Sequence, residues 1–202
     1  MNTDYEIDEL DRFIDIVRSF YEKDGFNALY IKLFSLRDYF RYSVSEIRTQ
    51  EENLELMKNG EHNNFATNEE YQESEMRIFS CAISSYGHMR TCLHFVRMIC
   101  KEKDDPQLLA IREKYKKWAE NLVDKRDRIQ AHPHEEWAIA GEVSGRNSNG
   151  EVYFNTRDFT KSSKSRKITL TPRKDLEILR SYLKEISIYF INVLSQNHQV
   201  KS

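Results

Sequence analysis

Residues 67–100 have the sequence TNEEYQESEMRIFSCAISSYGHMRTCLHFVRMIC. The segment opens with Thr67-Asn68-Glu69-Glu70, a capping-box pattern that commonly marks the start of a helix. Apolar residues then recur at the three- and four-residue spacing of one helix face, at Phe79, Ile83, Tyr86, Leu93, Val96 and Cys100. The pattern predicts one helix of roughly 30 residues, and a helix of that length needs partner helices to cover its apolar face.

The same periodicity predicts four further helices. The first begins at a capping box, Thr3-Asp4-Tyr5-Glu6, and ends at Asp24-Gly25. The second spans about residues 28–58 and ends at Asn59-Gly60. Its expected core side carries Leu33, Leu36, Phe40, Val44, Ile47, Leu54 and Met57. Asp105-Pro106 and Thr171-Pro172 begin the last two, because proline is favoured at the first helical position, and Pro133 ends the first of these.

Between the last two helices the periodicity changes to that of short strands. Trp137–Ala140, Glu151–Phe154 and Lys167–Leu170 are β-type runs, and Asn147–Gly150 has the composition of a hairpin turn. The predicted fold is therefore mainly α: an antiparallel bundle of about five helices with a small β-hairpin insertion, at about 137–170, before the last helix. A chain of 202 residues is long enough for one core, so residues 1–202 are expected to form one domain.

Composition excludes several classes of protein. Hydrophobic residues make up 39% and charged residues 32%, without an apolar run as long as a membrane span, and the polar N-terminus lacks the pattern of a signal peptide. A cytoplasmic protein without a membrane partner is expected. Cys81, Cys92 and Cys100 all lie on the predicted third helix, where disulfide geometry is rare, so they are expected to be reduced core residues.

Charge is unevenly distributed along the chain, although the net charge is only -2. Residues 51–77 hold eight carboxylates, whereas residues 157–174 hold seven lysines or arginines and one aspartate. The second stretch could contact a polyanion.

The usual metal and nucleotide motifs are missing from the sequence. It has no Glu-x-x-His, Cys-x-x-Cys or His-Glu-x-x-His motif and no glycine-rich phosphate loop, so neither a metal nor an organic cofactor is expected. His88 and Cys92 stand four residues apart and could share a metal ion, but inside an apolar helix ordinary packing is the better interpretation.

One motif remains, Arg126-Asp127-Arg128-Ile129-Gln130-Ala131-His132. Cations often gather in the last turn of a helix, where free carbonyls carry partial negative charge. Two features favour a site instead. The apolar stripe of this helix is expected to consist of Leu108, Ile111, Tyr115, Trp118, Leu122 and Ile129. With Leu122 at zero and about 100° per residue, Arg126 lies near about +40° and His132 near about -80°, on either side of this stripe. Pro133 also disfavours helical geometry at His132, which turns the imidazole away from the helix end.

The string Arg-Asp-x-x-x-Ala-His at the end of a bundle helix resembles the Arg-x(4–6)-His motif of the HEPN superfamily. The match covers seven residues, and the helical architecture extends it over about 28–198; the β insertion departs from the simplest members. The resemblance implies a dimer in which two copies of Arg126, Asp127 and His132 form one cleft. Many such proteins are metal-independent endoribonucleases of toxin–antitoxin, phage-defence or RNA-processing systems, and others are catalytically inactive binding modules.

The side chains suit RNA cleavage. The 2′-hydroxyl of RNA is the nucleophile, one imidazole removes its proton and a second protonates the leaving 5′-oxygen. Arg126 would hold the phosphate. Asp127 could orient Arg126 or His132, although on an ideal helix it points away from both. RNA could also contact basic residues near and after the motif: Arg128, Arg157, Lys161, Lys164, Arg166 and Lys167. A solvated flexible loop explains the later members of this set equally well.

Three functions therefore compete. The leading hypothesis is a dimeric HEPN-type ribonuclease with RNA as substrate and an antitoxin or defence protein as a partner. The second is an inactive HEPN-like dimer that acts as an interaction module. The third is an unrelated helical scaffold, in which Arg126 and His132 would be exposed and apart.

Overall fold

The computed structural model describes residues 6–23, 25–63, 68–101, 104–129, 143–146, 152–157 and 165–199. These residues form five helices and three strands: α1 (Asp8–Arg18), α2 (Phe26–Asn63), α3 (Asn68–Ile99), α4 (Pro106–Ile129), β1 (Val143–Arg146), β2 (Val152–Arg157), β3 (Ser165–Leu170) and α5 (Pro172–Gln199). The predicted mainly α fold, a helical bundle with a small β insertion before the last helix, is confirmed. None of the helices in these ranges is long and apolar enough to cross a bilayer.

The chain divides into two compact units, and the boundaries fall inside helices. The first unit comprises Met1–Tyr42, His88–Glu120 and Leu176–Ser202, and the second comprises Ser43–Gly87 and Asn121–Asp175. Helices α2 and α4 run from the first unit into the second, whereas α3 and α5 run from the second into the first. The prediction of one domain stays a prediction.

Helix α1 is shorter than predicted at both ends. It begins at Asp8 after an extended Ile7, whose φ is -125°, so the expected start at Thr3 is wrong. Three carboxylates in its first turn, Asp8, Glu9 and Asp11, favour a start here because they face the positive end of the helix dipole. The helix ends at Arg18, well before the predicted Asp24-Gly25, and Tyr21 is exposed.

Helix α2 continues past its predicted end. Asn59-Gly60 was expected to end it, but the helix extends to Asn63. A glycine inside a helix costs only about 1 kcal/mol, which the buried face of a long helix outweighs. That face is as predicted, since all seven expected core residues are buried: Leu33, Leu36, Phe40, Val44, Ile47, Leu54 and Met57.

The helix starts predicted from proline are confirmed. The Oδ1 atom of Asp105 accepts hydrogen bonds from the backbone N–H of Gln107 at 2.8 Å and of Leu108 at 3.2 Å, which caps α4. Helix α5 begins at Pro172. Pro133, the predicted end of α4, lies outside the described residues.

The β insertion is a three-stranded antiparallel sheet in the order β1-β2-β3. Val152 pairs with Leu170 and Arg157 with Ser165, whereas β1 joins β2 through an irregular register between Val143 and Gly145. Two of the predicted strands are confirmed. The third, Trp137–Ala140, and the turn at 147–150 lie outside the described residues, and the first strand that the structure describes is β1.

Each unit has its own apolar core. In the first unit the ring of Phe13 stacks on that of Phe190, with 5.3 Å between their centroids. In the second unit the core includes Val44, Ile47, Ile78, Tyr86, Leu122 and Leu170. Some predicted core residues are only half-buried, among them Ile83 on α3 and Ile111 and Trp118 on α4.

Candidate active site

The first half of the predicted motif lies at the end of α4, within the second unit. Leu122, fully buried one turn earlier, fixes the buried side of this last part of the helix. The side chain of Arg126 is 26% exposed and that of Asp127 is 48% exposed, so Arg126 flanks the buried stripe and Asp127 lies on the solvent side. Arg126 therefore lies at the boundary between core and solvent, as the sequence predicts.

Arg126 and Asp127 contact each other directly. The Nη1 atom of Arg126 donates a hydrogen bond to Oδ1 of Asp127 at 2.9 Å. The expectation that Asp127 points away from Arg126 is wrong, because a helical wheel follows the Cα–Cβ direction and ignores the reach of the long arginine side chain. Asp127 can therefore orient the guanidinium of Arg126.

The guanidinium of Arg126 also has an unsatisfied donor. Its Nε is buried and has no hydrogen-bond partner among the described residues. A buried donor without a partner costs about 1–3 kcal/mol and in a native protein requires an explanation. The Nη hydrogens that do not bond Asp127 can still donate hydrogen bonds to an anion.

The second half of the motif is not described. Gln130, Ala131 and His132 lie outside the described residues, and Arg128 lies in the last turn of α4. Of the later basic residues, Arg157 ends β2, Arg166 and Lys167 lie on β3, and Lys161 and Lys164 lie outside the described residues. Whether His132 or these cations approach Arg126 stays a prediction.

A buried polar network next to Arg126 was not predicted from the sequence. The Oδ2 atom of Asp175 accepts hydrogen bonds from the hydroxyl of Tyr86, from Lys125 Nζ at 3.3 Å and from Thr171 Oγ1 at 3.0 Å. The backbone N–H of Thr171 donates to the Tyr86 hydroxyl at 3.0 Å. One carboxylate oxygen thus joins α3, α4 and the junction of β3 with α5.

Burial affects the protonation of one member of this network, the Tyr86 hydroxyl. Desolvation raises the pKa of the Tyr86 hydroxyl above its usual range, and the charge of Asp175 adds to the rise. Tyr86 therefore stays neutral and can donate to the carboxylate. The sequence offers one sign of the network, an acidic residue in the first turn of α5.

The His88 and Cys92 pair belongs to the packing of the first unit. The His88 ring lies 5.8 Å from that of Tyr39 and 5.5 Å from that of Tyr42. The buried Cys92 thiol donates to the backbone carbonyl of Leu36 at 3.7 Å, and burial raises its pKa. All three cysteines are free and buried, as predicted. Within the described part of the chain, no three His, Cys, Asp or Glu side chains are grouped as a metal site requires.

Comparison with known proteins gives no relative. No family model, curated protein or solved structure matches this chain. The functional argument therefore depends on the motif and on the contacts of its described residues.

Proposed function

We propose that this chain is a metal-independent endoribonuclease of the HEPN type that acts as a dimer in the cytoplasm, in a toxin–antitoxin or phage-defence system. The observation that carries the proposal is the state of Arg126. Its guanidinium is held by Asp127 at the edge of the core, and its buried Nε has no partner among the described residues.

The mechanism uses the motif residues in distinct roles. Neutral His132 removes the proton of the RNA 2′-hydroxyl, whose oxygen attacks the adjacent phosphorus atom. The bond from phosphorus to the 5′-oxygen breaks, and the protonated His132 of the second copy donates a proton to that oxygen. The products are a 2′,3′-cyclic phosphate and a 5′-hydroxyl. Arg126 stabilises the charge that develops on the phosphoryl oxygens.

Asp127 has a supporting role in this mechanism. It contacts Arg126 and therefore restricts the directions in which the guanidinium can point. A guanidinium held before the substrate arrives loses less conformational freedom on binding a phosphate than a freely rotating side chain. Arg128, Arg157, Lys161, Lys164, Arg166 and Lys167 would contribute to binding the RNA backbone.

The experiment that tests this function is incubation of the purified protein with total RNA in the presence of EDTA, beside a His132→Ala variant. We expect the wild type to cleave and the variant to be inactive, because a 2′-hydroxyl nucleophile and two imidazoles need no metal ion. An all-DNA substrate should stay intact. Loss of cleavage on chelation would contradict the mechanism, and absence of cleavage under all conditions with an intact dimer would favour the inactive interaction module.

A dimer in solution is a further expectation, since the mechanism needs two copies of His132. We expect the dimer to bury part of the α4 stripe, of which Leu108, Tyr115 and Leu122 are already buried within the single chain. The second copy would cover the half-buried residues of this stripe, Ile111 and Trp118. We expect light scattering at micromolar concentration to report twice the mass of the chain, and a monomer alone would contradict the expectation.

A further inference from the structure

The network around Asp175 connects the end of the β insertion, at Thr171, with α4 beside the candidate site. Lys125 precedes Arg126 on α4, and Asp175 lies in the first turn of α5. The side chain of Lys125 is 17% exposed and that of Asp175 is 7% exposed, so their ion pair is largely shielded from water. The pair therefore fixes the end of α4 relative to the start of α5.

Stability alone is a poor explanation for such a pair. A buried ion pair loses much of its hydration, and replacing both partners with apolar residues of similar size is often neutral or stabilising. An apolar pair does not fix the relative orientation of its two side chains. A carboxylate does, because it accepts hydrogen bonds only from donors in a restricted set of positions. Tyr86 and Thr171 hold the Asp175 oxygen, and that oxygen holds Lys125.

We infer that Asp175, acting through Lys125, is a positioning residue for Arg126. The inference rests on the proposed function, since it names what places the phosphate-binding arginine of that site. Arg126 is the next residue along the helix, and Asp127, its hydrogen-bond partner, is half-exposed. The position of the Arg126 guanidinium therefore depends on the backbone of the last turns of α4, which Lys125 ties to Asp175. A shift of about 1 Å at a reacting group can reduce the rate by about 100-fold.

The test separates position from stability. In the double variant Lys125→Met with Asp175→Leu, an apolar pair replaces the ion pair. We expect a lower melting temperature, because the buried Tyr86 hydroxyl loses its acceptor. At a temperature where the variant is folded, we expect a kcat reduced by about 10- to 100-fold and a smaller change in KM. The single variant Lys125→Arg keeps the charge and the hydrogen bond to Asp175, so it should retain most of the wild-type kcat. Glu51→Gln is the matched control, because it weakens another ion pair of α5, with Arg173 Nε at 2.8 Å from Glu51 Oε1.

A second readout does not depend on cleavage. The Nε–H resonance of Arg126 in a ¹⁵N-labelled dimer can be assigned by its loss in Arg126→Ala. We expect this resonance to shift in the double variant and in Asp175→Asn, and to stay in place in Glu51→Gln. If the double variant does not fold, Asp175→Asn provides the same comparison. If the Arg126 resonance does not shift in the folded variants, the inference is wrong. If it shifts in the variants but the wild type does not cleave RNA, only the proposed function is wrong.

Discussion

Replacing Arg126 with alanine is expected to slow RNA cleavage by about 100- to 1,000-fold, the usual effect of removing one donor that stabilises a transition state. His132→Ala should slow it by about two to four orders of magnitude, because it removes an acid–base group. Arg126→Ala should change the free energy of unfolding little, since the side chain is partly exposed and its truncation also removes a buried donor without a described partner.

The measurement is the initial rate of cleavage of a labelled single-stranded RNA, with thermal unfolding followed on the same samples. Arg126→Lys is the informative control. Lysine keeps the positive charge but lacks the planar fork that binds two phosphate oxygens, so an intermediate rate is expected. Equal rates for the wild type, Arg126→Ala and His132→Ala in nuclease-free preparations would remove the motif from the mechanism.

Unlike Arg126→Ala, Leu122→Ala is expected to destabilise the fold, with a loss of about 2–5 kcal/mol in the free energy of unfolding. Leu122 is 1% exposed and lies four residues before Arg126 on the same helix, so truncation leaves a cavity in the core of the second unit. A loss of this size is a large fraction of the roughly 5–15 kcal/mol that stabilises a typical domain. Urea denaturation followed by circular dichroism measures the change.

Leu109→Ala is the matched control for this effect. It makes the same substitution on the same helix, but Leu109 is 43% exposed, and we expect a change within about 0.5 kcal/mol. Equal losses in the two variants would mean that the burial of α4 in solution differs from that in the structure. Trp118→Ala should fall between them, because Trp118 is only half-buried.

The parts of the fold that were predictable depend on local chemistry. The N-cap of α4 involves Asp105 and the two residues whose N–H groups donate hydrogen bonds to it, and these residues lie within three positions of each other in the sequence. The buried faces follow from a spacing that a helix imposes on any sequence. Helix ends were less predictable: α2 continues through Gly60, because one unfavourable residue cannot outweigh the packing of a long helix.

The candidate site was predictable only in part, for a similar reason. The boundary position of Arg126 follows from its angle to Leu122 on one helix. The Arg126–Asp127 contact depends on side-chain rotamers, which a wheel does not contain. The Asp175 network depends on three elements meeting, with Tyr86, Lys125 and Asp175 far apart in sequence. No local pattern specifies which buried carboxylate a lysine will reach.

The most direct test of the proposed chemistry uses an RNA in which a single 2′-deoxy nucleotide stands at a mapped cleavage position, in EDTA-containing buffer. If the 2′-hydroxyl is the nucleophile, cleavage should disappear at that position and persist at other sites, and each product of those cuts should end in a 2′,3′-cyclic phosphate. Continued cleavage at the deoxy position, or products with 3′-hydroxyl ends, would contradict the proposed function.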